Sequence, residues 1–183
     1  DIDGKLNFAL QANLEGNDID DAHGEIWIDD LVFADSSRIA NSSNITINIE
    51  TGDDNYKKIK LTSDKANGHA EGFFKYADLG NELYAQAFEH LGNMLQDKPQ
   101  KISAPVKVDG HIDYTDVNQY LQFFSDDIAL KENGNIDFSI NSEMHSSKIA
   151  VEIGDMQSGS IRMTDLRGAI TNDSTGCNAS VTT

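Results

Sequence analysis

Lys60–Gln96 reads KLTSDKANGHAEGFFKYADLGNELYAQAFEHLGNMLQ, and a change of period inside it decides the fold. Before it, Ile59 and Leu61 alternate with Lys58 and Lys60, the pattern of a strand with one buried face. Asn67-Gly68 is expected to turn the chain. A second strand then puts Ala70, Gly72, Phe74 and Tyr76 on one side, with His69, Glu71, Phe73 and Lys75 on the other. From Asp78 the period lengthens to about 3.6. Leu79, Leu83, Tyr84, Ala87, Phe88, Leu91 and Leu95 fall on one helical stripe, opposite Asn81, Glu82, Gln86, Glu89 and Asn93. Asp78 reads as the N-cap and Lys98-Pro99 as the stop. A lone helix of this length is marginal in water, so its stripe must dock. Burial of Leu83, Phe88 and Leu91 is worth roughly 1.5–3 kcal/mol each. The nearest apolar surface is the preceding strand face, against which Leu83, Tyr84, Phe88, Leu91 and Leu95 are expected to pack.

Outward from this stretch the period of two dominates. Leu6, Phe8, Leu10, Ala12 and Leu14 alternate with polar neighbours, and Ile26 and Ile28 lie opposite Trp27. The alternation slips at Asp30-Leu31, which predicts a bulge. Ser36–Ser43 reads as a polar connection, and Ile45, Ile47 and Ile49 as another one-faced strand. Beyond the helix, Gln96–Pro105 holds both prolines and is the candidate boundary, either between two runs of one sheet in a single segment 1–183 or between subdomains 1–96 and 106–183 joined by a linker at 97–105. Val106, Val108, Gly110, Ile112 and Tyr114 resume the alternation. Asp116–Phe124 reads as a short helical or irregular piece carrying Val117, Tyr120, Leu121 and Phe124 on one side, and Ile128–Leu130 as a candidate for a brief strand. Asn133-Gly134 signals a hairpin before Ile136, Phe138 and Ile140. Ile149, Val151 and Ile153, then Ile161, Met163 and Leu166–Ile170, continue the meander, and the polar tail 171–183 is expected to contribute little order. A motif of Gly, any residue, apolar, any residue, apolar recurs at Gly4, Gly24, Gly72, Gly110, Gly134 and Gly159. Its spacing is irregular, so it reads as strand starts rather than a solenoid repeat.

The expected fold is all-β: a mainly antiparallel, curled open sheet with one amphipathic helix on its apolar face. A helix of 17 residues is about 25 Å long, whereas strands lie about 4.8 Å apart, so ten of them outrun it. Much apolar face then stays uncovered, and large exposed apolar surface marks a binding site. The candidate groove lining is Leu6, Phe8, Leu10, Leu14, Ile26, Ile28, Ile45, Ile47, Ile49, Ile59, Leu61, Phe74, Val106, Val108, Ile112, Ile136, Phe138 and Ile140.

Composition narrows the function. The net charge of −17 excludes a nucleic-acid surface and disfavours anionic membranes. The mean hydropathy is −0.46. No run approaches the 18 or so apolar residues of a membrane span, so the segment is not expected to cross one. Asp1 opens the chain without a leader-like apolar stretch, and the chain reads as a segment of a longer protein. The five histidines are scattered, and the single Cys177 has no internal partner. Asp18-Ile19-Asp20-Asp21-Ala22 begins a calcium-loop pattern and fails at the third ligand. The pairs Asp29-Asp30, Asp53-Asp54 and Asp126-Asp127 sit at predicted turns or strand ends. With no nucleophile elbow, phosphate loop or dinucleotide fingerprint, no catalytic residue, metal or cofactor is assigned, and the chain reads as a non-enzyme.

The run LTSDKANGHAEGFFKY leading into a helix resembles a recurring segment of the TamB/AsmA-like family of Gram-negative envelope proteins. DIDGKLNFALQANLEGNDIDDAHGEIWIDDLVF before it and VKVDGHIDYTDVNQYLQFFSDDIAL after it share the style, so the resemblance covers about the first 140 residues. It implies a long curled β-sheet, open along one side, apolar within, anchored in the inner membrane and crossing the periplasm. It also implies phospholipid transport or outer-membrane protein assembly, with an Omp85-type outer-membrane partner for the full-length protein. The candidate lining would then contact acyl chains or β-strands in transit. The helix is a departure, since it could plug such a groove. The rival reading is a surface-exposed adhesin-like or carbohydrate-binding β-sandwich, which would bury the same residues and act through its Asp- and Asn-rich loops.

Overall fold

A computed structural model describes residues 4–91, 100–123, 127–173 and 176–183, with 87–91 by backbone alone. The strands are β1 (Lys5–Glu15), β2 (His23–Ala34), β3 (Ile39–Ser42), β4 (Ile45–Thr51), β5 (Tyr56–Thr62), β6 (Ala66–Phe73), β7 (Lys107–Tyr114), β8 (Ile128–Leu130), β9 (Gly134–Asn141), β10 (Ser146–Ser158), β11 (Ile161–Asp173) and β12 (Gly176–Thr182). The helices are α1 (Tyr76–Leu91) and the short α2 (Asn118–Leu121). All strands join one open antiparallel sheet in the order β1-β2-β4-β5-β6-β7-β9-β10-β11-β12. Spatial order therefore follows chain order. β3 pairs with the far half of β2 and β8 with the far half of β10, so each continues the line of β4 or β9. The polar stretch at 36–43 thus contributes a strand, and the polar tail forms the last one.

Residues directly opposite in an antiparallel ladder point to the same side. One row runs Leu14, Gly24, Ile49, Ile59, Ala70, Gly110, Phe138, Ile149, Ile170 and Ala179. The neighbouring row on the other side runs Asn13, Glu25, Asn48, Lys60, His69, His111 and Asp137. Sequence alternation has become two faces, one apolar and one polar. On the polar face Lys58 lies between Glu50 and Glu71, its Nζ 3.9 Å from the Glu71 carboxylate. The bulge anticipated at Asp30-Leu31 is present. Asp30 has φ 51° and the register against β1 shifts between Asn7 and Ala9, which keeps Leu31 and Phe33 on the side of Ile28.

Local chemistry moves the turns. The β5–β6 reversal lies at Ser63–Lys65, not at Asn67-Gly68, because the Ser63 hydroxyl accepts the N–H groups of Lys65 and Ala66. Asn67 and Gly68 are paired strand residues. Asn133-Gly134 is likewise no hairpin, since β8 and β9 on either side pair with the same strand, β10.

Two of the recurring glycines make room for a ring: Gly110, which lies inside β7 rather than at its start, and Gly134, which does start β9. A Cβ on Gly110 would lie 2.2 Å from the Phe138 ring, and one on Gly134 would lie 2.3 Å from the Tyr114 hydroxyl. β7 and β9 thus each place a glycine beside the other's ring. Gly110→Ala must push that ring aside, an overpacking cost of about 1–3 kcal/mol. It is expected to lower the urea midpoint without changing the slope of the transition.

Helix α1 leaves the sheet between β6 and β7, which pair from Ala66↔Tyr114 to Phe73↔Lys107, so the sheet is continuous across the linker at 97–105. The core sits at this exit. Phe74, Val106, Val108 and Ile140 are buried there, with Ile59, Ala70, Tyr76, Leu79 and Phe138 packed around them. Asp78 is not the N-cap, because the helix begins two residues earlier. Its buried carboxylate accepts hydrogen bonds from the Ser103 N–H and hydroxyl and from the Ala104 N–H, at 2.7–3.1 Å, and so pins the return segment to the helix. Burial works to raise this carboxyl, and those bonds outweigh it and hold it below the usual range.

Candidate functional site

The expected groove lining divides in two. Phe74, Val106, Val108 and Ile140 are 0–6% exposed and belong to the core, which corrects their assignment to an open groove. The reason is local: the start of α1 and the return segment at 100–106 fold over that end of the apolar face. The edge positions are open, with Leu6 56%, Phe8 51%, Leu10 54% and Leu14 39% exposed. Between these extremes Ile26, Ile28, Ile45, Ile47, Ile49, Ile59, Leu61, Ile112, Ile136 and Phe138 are half-buried, shielded by their strand neighbours. Ile149, Ile170 and Val181 extend the exposed apolar surface to the far edge. The accessible surface of 11851 Å² compares with about 8,700 Å² for a compact monomer of this mass. The excess is what an uncovered sheet requires.

Helix α1 covers less than its stripe suggested. Leu83 is 46% exposed and does not pack on the sheet, whereas Asp78, Glu82 and Gln86, one turn apart, are buried. The Gln86 amide donates to Glu82 at 2.9 Å. Asp78 binds the return segment, which turns this polar stripe inward and leaves Leu79 to contact the core. Tyr84 is half-buried. The side chains of Phe88 and Leu91, and Leu95 altogether, lie outside the described residues.

Lys57, which alternation alone did not single out, is a charged residue paired into the apolar rows, between Thr51 and Gly72. It is fully buried, and its Nζ donates to the Phe74 carbonyl at 2.7 Å. The ammonium lies 5.3 Å from the Phe74 ring centre and 5.4 Å from that of Tyr76. Asp20 sits 3.8 Å away and also accepts the Tyr76 N–H, tying the β1–β2 turn to the helix start. Burial pushes the Lys57 ammonium down, against the pull of Asp20, Asp21 and Asp18. Its position makes it a structural tie rather than an exposed charge.

At the opposite end α2 fills a gap between β3 and β8. The Gln119 side-chain amide donates to the Asn41 carbonyl at 2.8 Å and accepts the Asn41 N–H at 3.2 Å. Asn118 treats Leu130 in the same way, accepting its N–H at 2.6 Å and donating to its carbonyl. Two adjacent amides thus satisfy backbone groups on two strands, as a paired strand would. Phe123 closes the corner against Phe33, ring centres 4.5 Å apart.

The polar face carries two open depressions of about 660 and 460 Å³ that share His69, Glu71 and His111. His111 bonds Asp137 through Nδ1 at 2.7 Å and faces Asp113 through Nε2 at 3.2 Å. Those two carboxylates raise its pKa above 6.5. A raised folded-state pKa contributes stability below pH 6.5 that is lost as pH climbs through the folded value. NMR titration is therefore expected to place His111 above 6.5 in the wild type, and Asp137→Asn to bring it down. Lys58, Lys60 and Lys148 are matched in these depressions by Glu50, Glu71, Asp109, Asp113 and Asp137. Among the described residues no group of three or more metal-binding side chains converges, and no helix is long and apolar enough to cross a membrane. Comparison of the chain with protein-family models, curated proteins and solved structures finds no match.

Proposed function

We propose that this chain is a non-enzymatic segment of a TamB/AsmA-like periplasmic protein, and that its apolar face carries phospholipid acyl chains between the inner and outer membranes. The observation that carries the reading is the apolar face itself. It crosses ten strands of one open sheet, and the charge it carries among its central strands, Lys57, is sealed beneath the helix start. A methylene fully withdrawn from water is worth roughly 0.8 kcal/mol, and one laid on such an open face gains part of that, so an acyl chain is held through its length rather than by a specific head-group contact. Outer-membrane protein strands in transit would use the same surface. The sandwich alternative needs a second sheet over these residues, whereas every described strand belongs to the one sheet.

The test is uptake of the neutral fluorophore N-phenyl-1-naphthylamine. Wild-type protein is expected to enhance its emission, Ile47→Glu to abolish the enhancement, and Lys60→Glu on the polar face to leave it unchanged. No enhancement by the wild type, or equal behaviour of the two variants, would remove the apolar face as the binding surface.

A further inference from the structure

The charges around the apolar face select among lipids, an argument that rests on the acyl-chain reading above. We infer that the lipid this face accepts has a zwitterionic or uncharged head group, and that anionic amphiphiles are excluded. An acyl chain of one bilayer leaflet spans about 15 Å, while an eight-residue strand spans about 26 Å. A lipid that enters from one end of the sheet with its head group in water lays its chain along about half of a strand and keeps the head group near that end.

Both ends are acidic. At the end where α1 leaves, the β1–β2 turn carries Asp18, Asp20 and Asp21, and the β4–β5 turn carries Asp53 and Asp54. The cation nearest them, Lys57, is sealed off from solvent and spent on the Phe74 carbonyl and Asp20. Lys107 at this end belongs to β7 but flanks the buried Val108 on the polar side, and Lys75 acts electrostatically on the buried Asp78. At the other end three of the cations are already paired. Arg38 holds Asp35 at 3.0 Å, Lys65 holds Asp116 at 2.8 Å, and Arg162 holds Asp155 with Nε 3.0 Å from both carboxylate oxygens. A phosphodiester with no compensating amine would meet carboxylates at either end, within the field of a chain of net charge −17. A head group whose ammonium offsets its phosphate meets attraction instead. The same field opposes a second copy of the chain, equally charged, as the cover of this face.

Native mass spectrometry of the whole chain with an equimolar mixture of lysophosphatidylcholine and lysophosphatidylglycerol of identical acyl chain decides this. At about 20 mM ammonium acetate the expected result is at least tenfold more of the choline lipid bound, with the ratio shrinking at about 0.5 M as the charges are screened. Asp21→Lys with Asp53→Lys, two exposed turn positions, is expected to bring the ratio toward one. Equal binding, or a preference for the glycerol lipid, by the wild type overturns the inference while leaving acyl binding intact. A wild-type preference untouched by the double substitution overturns the assignment of selectivity to these turns. Neither lipid bound, or a lipid-free dimer, overturns the acyl-chain reading together with the inference.

Discussion

Phe74→Ala is expected to be the most destabilising single truncation of the apolar cluster. Phe74 is 1% exposed and packs with Val106, Val108 and Ile140, with its ring edge-on to Tyr76 at 5.6 Å. Removing a buried phenylalanine side chain costs about 3–5 kcal/mol, a large fraction of the roughly 5–15 kcal/mol that holds a typical domain folded. In a chain of this length that is a fall in Tm on the order of 10 °C. The substitution also strips the Lys57 ammonium of one of its two aromatic neighbours. Thermal unfolding followed by far-ultraviolet circular dichroism checks it. A loss below about 1 kcal/mol would mean that this end of the sheet is not closed by α1 and the return segment.

Phe8→Glu is expected to do the reverse, sparing the fold and removing binding. Phe8 sits on edge strand β1, every described residue of which is exposed, and is itself 51% accessible. A charge there stays hydrated, so the stability change is expected within about 1 kcal/mol. On the apolar face the same carboxylate is a desolvation barrier to any acyl chain laid across it. Uptake of N-phenyl-1-naphthylamine is expected to fall at least tenfold while the unfolding midpoint holds. Asn48→Glu, one residue along from Ile47 and on the opposite face, serves as the control and is expected to change neither. Unfolding of Phe8→Glu would show β1 to be covered in solution, and unchanged uptake would place the probe elsewhere.

The contrast between these substitutions marks what alternation conveys. A period of two states which side of a strand a residue lies on, so the faces of Ile45, Ile47 and Ile49 and of Ile26 and Ile28 were legible, as was the slip at Asp30. It does not state what lies above that side. Phe74, Val108 and Ile140 share the apolar face with Ile47, yet they are core because α1 and the segment 100–106 return over them. That closure depends on Asp78 meeting Ser103 and Ala104, a contact 25 residues long in sequence with no periodic signal. Leu83 was misread for the same reason: the helix is oriented by the buried polar stripe Asp78, Glu82 and Gln86 rather than by its leucines. Lys57 escaped notice because a lysine in a strand ordinarily reads as solvated, and here the Phe74 carbonyl and Asp20 make its burial tolerable. The Asn118 and Gln119 amides were equally silent, since a side chain standing in for a strand depends on which backbone groups arrive beside it.

The central claim is that one face of a single open sheet is the binding surface, and Ile47 and Asn48 allow it to be tested at adjacent positions. The photo-reactive residue p-benzoylphenylalanine would replace each in turn, and the purified protein would be irradiated with radiolabelled phosphatidylethanolamine in mixed micelles. Labelling from position 47 with none from position 48 is the result predicted for an uncovered apolar face that takes acyl chains. Equal labelling from both positions, or labelling from 48 alone, would contradict it.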